Sequence, residues 1–348
     1  MRKQRLLVTG GAGFIGANAA QRFLKEGWDV TVWDNLSRRG AQHNLEWLRG
    51  FGRFDFAKFD LRHEAAVAEH YRGRQFDLVL HCAGQVAVTT SIANPRDDFE
   101  SNALGTFNLL EAIRQFDREA CLLYASTNKV YGGLETVAVA ERHDRYEYAD
   151  LPHGIPETQP LDFHSPYGCS KGAADQYVRD YARIYGLRTV CFRQSCIYGC
   201  RQFGLEDQGW LAWFVIAQAL GRPVTIYGNG KQTRDVLFIE DLIDAYQMAF
   251  AQRDKIAGRL YNLGGGPQNH LSLLALIRIV EAARQCKMET RFADWRQGDQ
   301  KVFVADIRTA CADFGWTPRH DCEAGVRKLI EWVDANLPIL REVLSGKS

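Results

Sequence analysis

Through the first 125 residues, short apolar runs alternate with amphipathic stretches. Arg5–Thr9, Val30–Asp34, Phe54–Phe59, Leu78–Cys82 and Cys121–Ala125 read as strands. Two of these runs, L-L-V and L-V-L-H-C-A, carry apolar residues at consecutive positions, the pattern of strands covered on both faces. Between them Ile15–Glu26, His63–Tyr71 and Pro95–Gln115 have helical spacing, with Gly27 placed to stop the first and Pro95 to start the last. Strand–helix alternation predicts an α/β fold, a Rossmann-type doubly wound parallel sheet. The second half is less regular. Residues 132–165 form a long connection, an insertion or functional loop. Pro166–Tyr185 reads as a helix and Arg188–Phe192 as a strand, followed by short elements at Trp210–Leu220, Val224–Tyr227, Ile239–Gln252, Leu271–Arg284 and Glu323–Val333. The expected division is a first domain over 1–195 and a smaller mixed α/β domain over 196–348, with some chain crossing between them.

Composition narrows the function classes. The 348 residues are 46% hydrophobic and 24% charged, which excludes disordered and fibrous classes. Lys plus Arg number 43 against 42 Asp plus Glu, a net charge of +1 that argues against nucleic acid as partner. No apolar run is long enough to span a bilayer. The apolar stretch after M-R-K-Q-R is too short for a secretory signal. Nine cysteines without a C-x-x-C pair read as reduced thiols, so the expected compartment is the cytoplasm. Cys191, Cys196 and Cys200 lack ligands at zinc spacing, so no metal is expected. Cys169 is expected to pack as a small apolar group. Trp210, Trp213 and Phe214, at helical spacing, are expected in the core.

The string T-G-G-A-G-F-I-G at Thr9–Gly16 lies between a strand and a helix. Gly10, Gly11, Gly13 and Gly16 satisfy both G-x-G-x-x-G and G-x-x-G-x-x-G. A turn without side chains admits a pyrophosphate, and the helix N-terminus beginning at Phe14 and Ile15 supplies N–H donors. Asp34 ends the next strand, placed to accept the ribose hydroxyls and to repel a 2′-phosphate, which favours NAD. Asn35, Ser37 and Arg38 follow it, and Asp60 with Leu61 ends the third strand, a candidate for the adenine. Ala83, Gly84 and Gln85 follow the fourth strand at the end where cofactors lie in such sheets. Tyr167 and Lys171, four apart, share one helical face. A tyrosine of ordinary pKa near 10 is a poor base at neutral pH; a neighbouring ammonium brings it toward the working range.

These motifs resemble the extended short-chain dehydrogenases/reductases, in the branch that modifies nucleotide sugars. The resemblance runs nearly end to end, through A-G-Q-V-A-V-T-T-S-I at Ala83–Ile92, S-T-N-K-V-Y-G at Ser126–Gly132, S-P-Y-G-C-S-K at Ser165–Lys171, R-Q-F-G-L-E-D-Q-G-W at Arg201–Trp210 and G-N-G-K-Q-T-R-D at Gly228–Asp235. It implies Thr127, Tyr167 and Lys171 as catalytic residues, with Asn102 supporting them and Ala125, Ser126 and Gln194 beside the cofactor. It also implies C2 epimerisation of a nucleoside-diphosphate sugar, a CDP-sugar being favoured, with NAD as cofactor and a homo-oligomer as assembly. Substrate-side candidates are Gln85, Thr127, Asn128, Arg201, Lys231, Arg234, Arg296 and Gln300, with Lys301 as a further cation; Arg234 ranks first, for the pyrophosphate. Dehydratases of this branch place Asp-Glu after the catalytic Thr to eliminate water; this chain has Asn128-Lys129. Epimerisation of another nucleotide sugar at C2 or C4, and a non-catalytic NAD-binding protein, stay open as alternatives.

Overall fold

Consecutive apolar positions in a strand can be buried only if helices cover both faces of the sheet. The computed structural model, which describes residues 2–296 and 299–345, has this arrangement. Seven strands form the central sheet: β1 (Arg5–Thr9), β2 (Asp29–Trp33), β3 (Asp55–Ala57), β4 (Leu78–His81), β5 (Cys121–Thr127), β6 (Arg188–Gln194) and β7 (Leu260–Leu263). Their spatial order is 3-2-1-4-5-6-7, and all neighbours are parallel. Alternate residues of β1 serve opposite layers: Leu6 and Val8 pack with Ala17, Ala20 and Phe23 of the helix Phe14–Lys25. Leu7 packs with Val67, Leu109 and Ile113 on the other face. The order reverses between β1 and β4, which opens a crevice at the strands' carboxyl ends.

The second lobe is built around the strand Thr233–Phe238, paired with Cys196–Tyr198, His270–Ser272 and Val302–Phe303. Val224–Tyr227 pairs separately with Thr290–Ala293. After β6 the chain enters this lobe, then returns at β7 to complete the first sheet. The 132–165 connection is docked onto the second lobe rather than solvated. Its hairpin, Val139–Glu141 with Tyr146–Tyr148, is pinned by Tyr146 N donating to Lys231 O at 2.9 Å and Thr233 Oγ1 donating to Tyr146 O at 2.6 Å. Among the described residues no helix is long and apolar enough to cross a membrane, and no cluster of His, Cys, Asp and Glu could hold a metal ion.

Several features differ from the sequence reading. The stretch expected as one helix over Pro95–Gln115 is a helix Pro95–Phe99, a π-turn Glu100–Leu104 and a helix Gly105–Phe116. Strand β7 and the helix Ala41–Leu48 were not expected. Cys169 is exposed rather than packed, because the helix Ser165–Tyr185 turns that side away from the sheet while burying Tyr167, Ser170 and Lys171.

His81, at the end of β4, is fully buried between two hydroxyls, Thr9 Oγ1 at 2.7 Å from Nδ1 and Thr106 Oγ1 at 2.9 Å from Nε2. Burial pushes its pKa down to about 3, so it stays neutral in the fold. An unfolded histidine protonates near 6.5, so between those values the unfolded chain binds the extra proton and stability falls as pH falls. The expected slope is about 1.4 kcal/mol per pH unit below 6. Urea unfolding at pH 7.5 and 5.5 should show this loss in the wild type and a smaller one in His81→Gln; equal slopes would remove His81 from the account.

Candidate active site

The glycine loop joins β1 to its helix in a space where side chains do not fit. Gly10 has φ +67°, and a Cβ there would lie 2.6 Å from Ala83 N. A Cβ on Gly16 would lie 2.2 Å from Gly10 O. The helix begins at Phe14 behind Gly13 with no side-chain cap, leaving its first N–H groups for a ligand. Asp34 holds the loop's shape: Oδ2 accepts from Ala12 N at 3.0 Å and Oδ1 from Leu36 N at 2.7 Å. Beyond it Asn35 Nδ2 donates to Asp60 Oδ2 at 2.8 Å. Partial burial raises the Asp60 carboxyl, but hydrogen bonds from Arg62 and Asn35 outweigh it and bring the pKa down to about 2. Ser37 and Arg38 are exposed, and Leu61 is buried under Gly105.

A cleft of about 840 Å³ runs from this loop into the second lobe. Phe14, Ile15, Ala83 and Gly84 line it on the sheet side, together with Ala125, Ser126, Thr127, Asn128, Tyr167, Lys171 and Gln194. Parallel pairing ends β5 and β6 together at Thr127 and Gln194, which sets this wall. The helix Ser165–Tyr185 then presents Tyr167 and Lys171 one turn apart, both buried. Burial pushes the Tyr167 phenol up to about 12, while the Thr127 hydroxyl favours its ionised form. Burial likewise brings Lys171 down to about 8. Its Nζ donates to Ala125 O at 2.6 Å and lies 4.3 Å from the centre of the Tyr124 ring.

Beneath the pair lies a polar cluster that sequence reading found only in part. Asp98 accepts from Gln85 Nε2 at 2.9 Å, Asn102 Nδ2 at 3.1 Å and Ser170 Oγ at 2.5 Å. Asn102 stands in the π-turn, its Oδ1 buried without a partner among the described residues, 2.5 Å from where a Gly84 Cβ would be. Ser91 Oγ accepts from Tyr167 N at 3.2 Å. A short buried polar residue in each intervening helix is the only signal that marks Asp98 and Ser91 in the sequence.

The glycine cradle, the uncapped helix start and the carboxylate of Asp34 together fit NAD. Gly10, Gly13, Phe14, Ile15 and Gly16 would hold its pyrophosphate, Asp34 its adenosine ribose and Lys171 the ribose next to the nicotinamide. Gly16→Ala puts a methyl group against Gly10 O and should weaken NAD binding about tenfold or more, measured calorimetrically. Unchanged affinity would mean that the loop has slack.

On the substrate side, Arg234 lines the cleft with Nη2 donating to Asp299 Oδ1 at 2.6 Å. Arg296 lines it over the Tyr227 ring at 3.9 Å and donates to Asp207 Oδ1 at 3.3 Å. Gln300 is buried behind the wall, bonded to Gly132 O and accepting from Lys129 Nζ at 3.3 Å. Three expected cations are not brought here. Arg201 has φ +67°, and its guanidinium stacks on Trp47 at 4.5 Å in a separate cavity of about 390 Å³. Lys231 pairs with Glu141 of the hairpin at 2.7 Å, and Lys301 lies over Tyr146 at 5.3 Å. Trp210, Trp213 and Phe214, expected in the core, also line the cleft, with Trp213 and Phe214 largely buried behind it. His164, the residue before the catalytic helix, is an exposed part of the rim.

Residues 6–264 match the NAD dependent epimerase/dehydratase family. The chain belongs to that family. It is 48% identical over 338 residues to the CDP-paratose 2-epimerase of Salmonella typhi, covering 95% of this chain and 99% of that protein. It is 31% identical over 358 aligned positions to the dTDP-glucose 4,6-dehydratase of Salmonella typhimurium, covering 98% and 96% of the two chains. Among solved structures it resembles the UDP-glucose 4-epimerase of Thermotoga maritima with UDP-glucose, with a TM-score of 0.82 and 26% identity over 96% of this chain and all of that one. It also resembles the Thermus thermophilus UDP-glucose 4-epimerase complexed with NAD, with a TM-score of 0.78 and 30% identity over 95% and 99%. The protein is an NAD-dependent enzyme of nucleotide-sugar chemistry.

Proposed function

We propose that the protein inverts C2 of CDP-paratose to give CDP-tyvelose. The observation that carries this reading is the 48% identity, along 95% of the chain, to a CDP-paratose 2-epimerase, in a chain that keeps Thr127, Tyr167 and Lys171 in one cleft. NAD bound in the cleft supplies the hydride acceptor for oxidation at C2 and, once reduced, the donor for the reverse transfer. Tyr167 Oη takes the proton from the C2 hydroxyl, which Thr127 Oγ1 orients. The Thr127 hydroxyl favours the phenolate against the burial that opposes it, and Lys171, one helical turn away, would hold the ribose next to the nicotinamide. Asn128 and Lys129 stand where elimination would need two acids, so water is not lost from the keto sugar. The sugar then turns in the cleft and presents its opposite face, and Tyr167 Oη returns the proton.

A CDP donor and self-association belong to the same proposal. Phe107, Tyr177 and Ile184 are exposed on the helices Gly105–Phe116 and Ser165–Tyr185, with Phe107 and Tyr177 rings 5.6 Å apart, an apolar face suited to a second copy. Proton NMR of CDP-, UDP-, GDP- and dTDP-sugars incubated with the protein tests the substrate. Inversion of CDP-paratose at C2 is expected. Inversion of a different donor alone would overturn the substrate, and no reaction with any donor would overturn the enzymatic reading.

A further inference from the structure

Lys129 lines the cleft two residues beyond Thr127, in the short turn Asn128–Tyr131 that follows β5. Its backbone N donates to Thr127 Oγ1 at 3.2 Å, so the lysine is fixed relative to the catalytic hydroxyl. Its Nζ donates to Gln300 Oε1 at 3.3 Å, and Gln300 is itself held by its bond to Gly132 O. Among the described residues no carboxylate forms an ion pair with Lys129. Asp299, beside Gln300, already accepts from Arg234 Nη2 at 2.6 Å. Asp299 is therefore taken up by Arg234, and Lys129 Nζ is left with the neutral amide of Gln300. Burial lowers the Lys129 pKa, the Arg234 charge lowers it further, and Asp299 opposes both. An enclosed ammonium in this state is completed by an anion.

The chemistry of the reaction says where that anion lies. In a nucleoside-diphosphate sugar, C2 is three bonds from the β-phosphorus, through C1 and the bridging oxygen, whereas C4 is five bonds away by either path around the ring. An enzyme that sets C2 beside its tyrosine must hold the β-phosphate closer to the catalytic hydroxyl than one that sets C4 there. Lys129 is a cation lining this cleft whose backbone is bonded to Thr127 Oγ1. We infer that Lys129 holds the β-phosphate of the substrate and so sets C2, rather than C4, beside Tyr167. The assignment rests on the C2 reading above, and leaves Arg234 and Arg296 for the remaining charge of the diphosphate.

Competitive inhibition by CDP and by CMP, which lacks the β-phosphate, tests it in the NAD-loaded protein. Lys129→Met should weaken CDP about 10- to 100-fold and CMP less than about twofold, with Lys129→Arg recovering part of the loss. Bound NAD and the thermal midpoint should be unchanged, which separates lost contact from lost fold. Equal weakening of both inhibitors, or of neither, would overturn the assignment. The wild type assayed beside it separates the two claims. Inversion at C2 with CDP inhibition unchanged in Lys129→Met defeats Lys129 alone, whereas no C2 inversion by the wild type defeats the reading on which it rests.

Discussion

Replacing Tyr167 by phenylalanine should lower turnover about a thousandfold while leaving NAD bound. The substitution removes one oxygen from a buried ring, so the packing of the helix Ser165–Tyr185 is retained and the loss reports chemistry. Its neighbours at the ends of β5 and β6 are poorly suited to take the proton. Thr127 and Asn128 do not ionise in the working range, and Lys171 is committed to Ala125 O. Initial rates with bound NAD measured in parallel check this. Activity within tenfold of wild type would move the base elsewhere.

The largest expected effect on stability is at Arg193→Met. Arg193 and Asp175 form an ion pair with side chains 2% and 0% exposed. Arg193 Nε and Nη2 donate to the two carboxylate oxygens at 2.9 and 3.0 Å, and Ser126 Oγ donates to Oδ2 at 3.0 Å. Asp175 lies one turn beyond Lys171, so the pair ties the catalytic helix to β5 and β6 directly behind the cleft. Removing the guanidinium strands a carboxylate in the interior, with an expected cost of about 3–5 kcal/mol in urea unfolding. Replacing both partners, Arg193→Met with Asp175→Leu, should recover much of that loss, because the cost comes from the unpaired charge. A single variant within about 1 kcal/mol of wild type would show that solvent reaches the site.

Local signals made the first half of the chain legible before its structure. The glycine loop, the carboxylate at the end of β2 and the apolar strands are specified by residues near in sequence, and each falls where spacing places it. The Tyr167–Lys171 face needed only helical periodicity. Residues whose position depends on distant partners were harder to read. Arg201 and Lys231 are basic residues in the right half of the chain, yet one is turned onto Trp47 by a left-handed backbone and the other is drawn to Glu141 of a hairpin 90 residues away. The π-turn at Glu100–Leu104 interrupts a stretch whose apolar spacing is helical throughout, so periodicity reads through it. In the sequence Lys129 stands out only as a position without an acid. Its meaning comes from the unshared charge around it, which is a property of packing and not of spacing.

The central claim is that C2 is oxidised and reduced again within one cleft. The direct test is CDP-paratose carrying deuterium at C2, converted by the NAD-loaded protein in ordinary water and followed by NMR and mass spectrometry. The expected product is CDP-tyvelose that keeps its deuterium at C2. Inverted product whose C2 label has been replaced by solvent hydrogen would contradict it, and would point to proton exchange at that carbon instead.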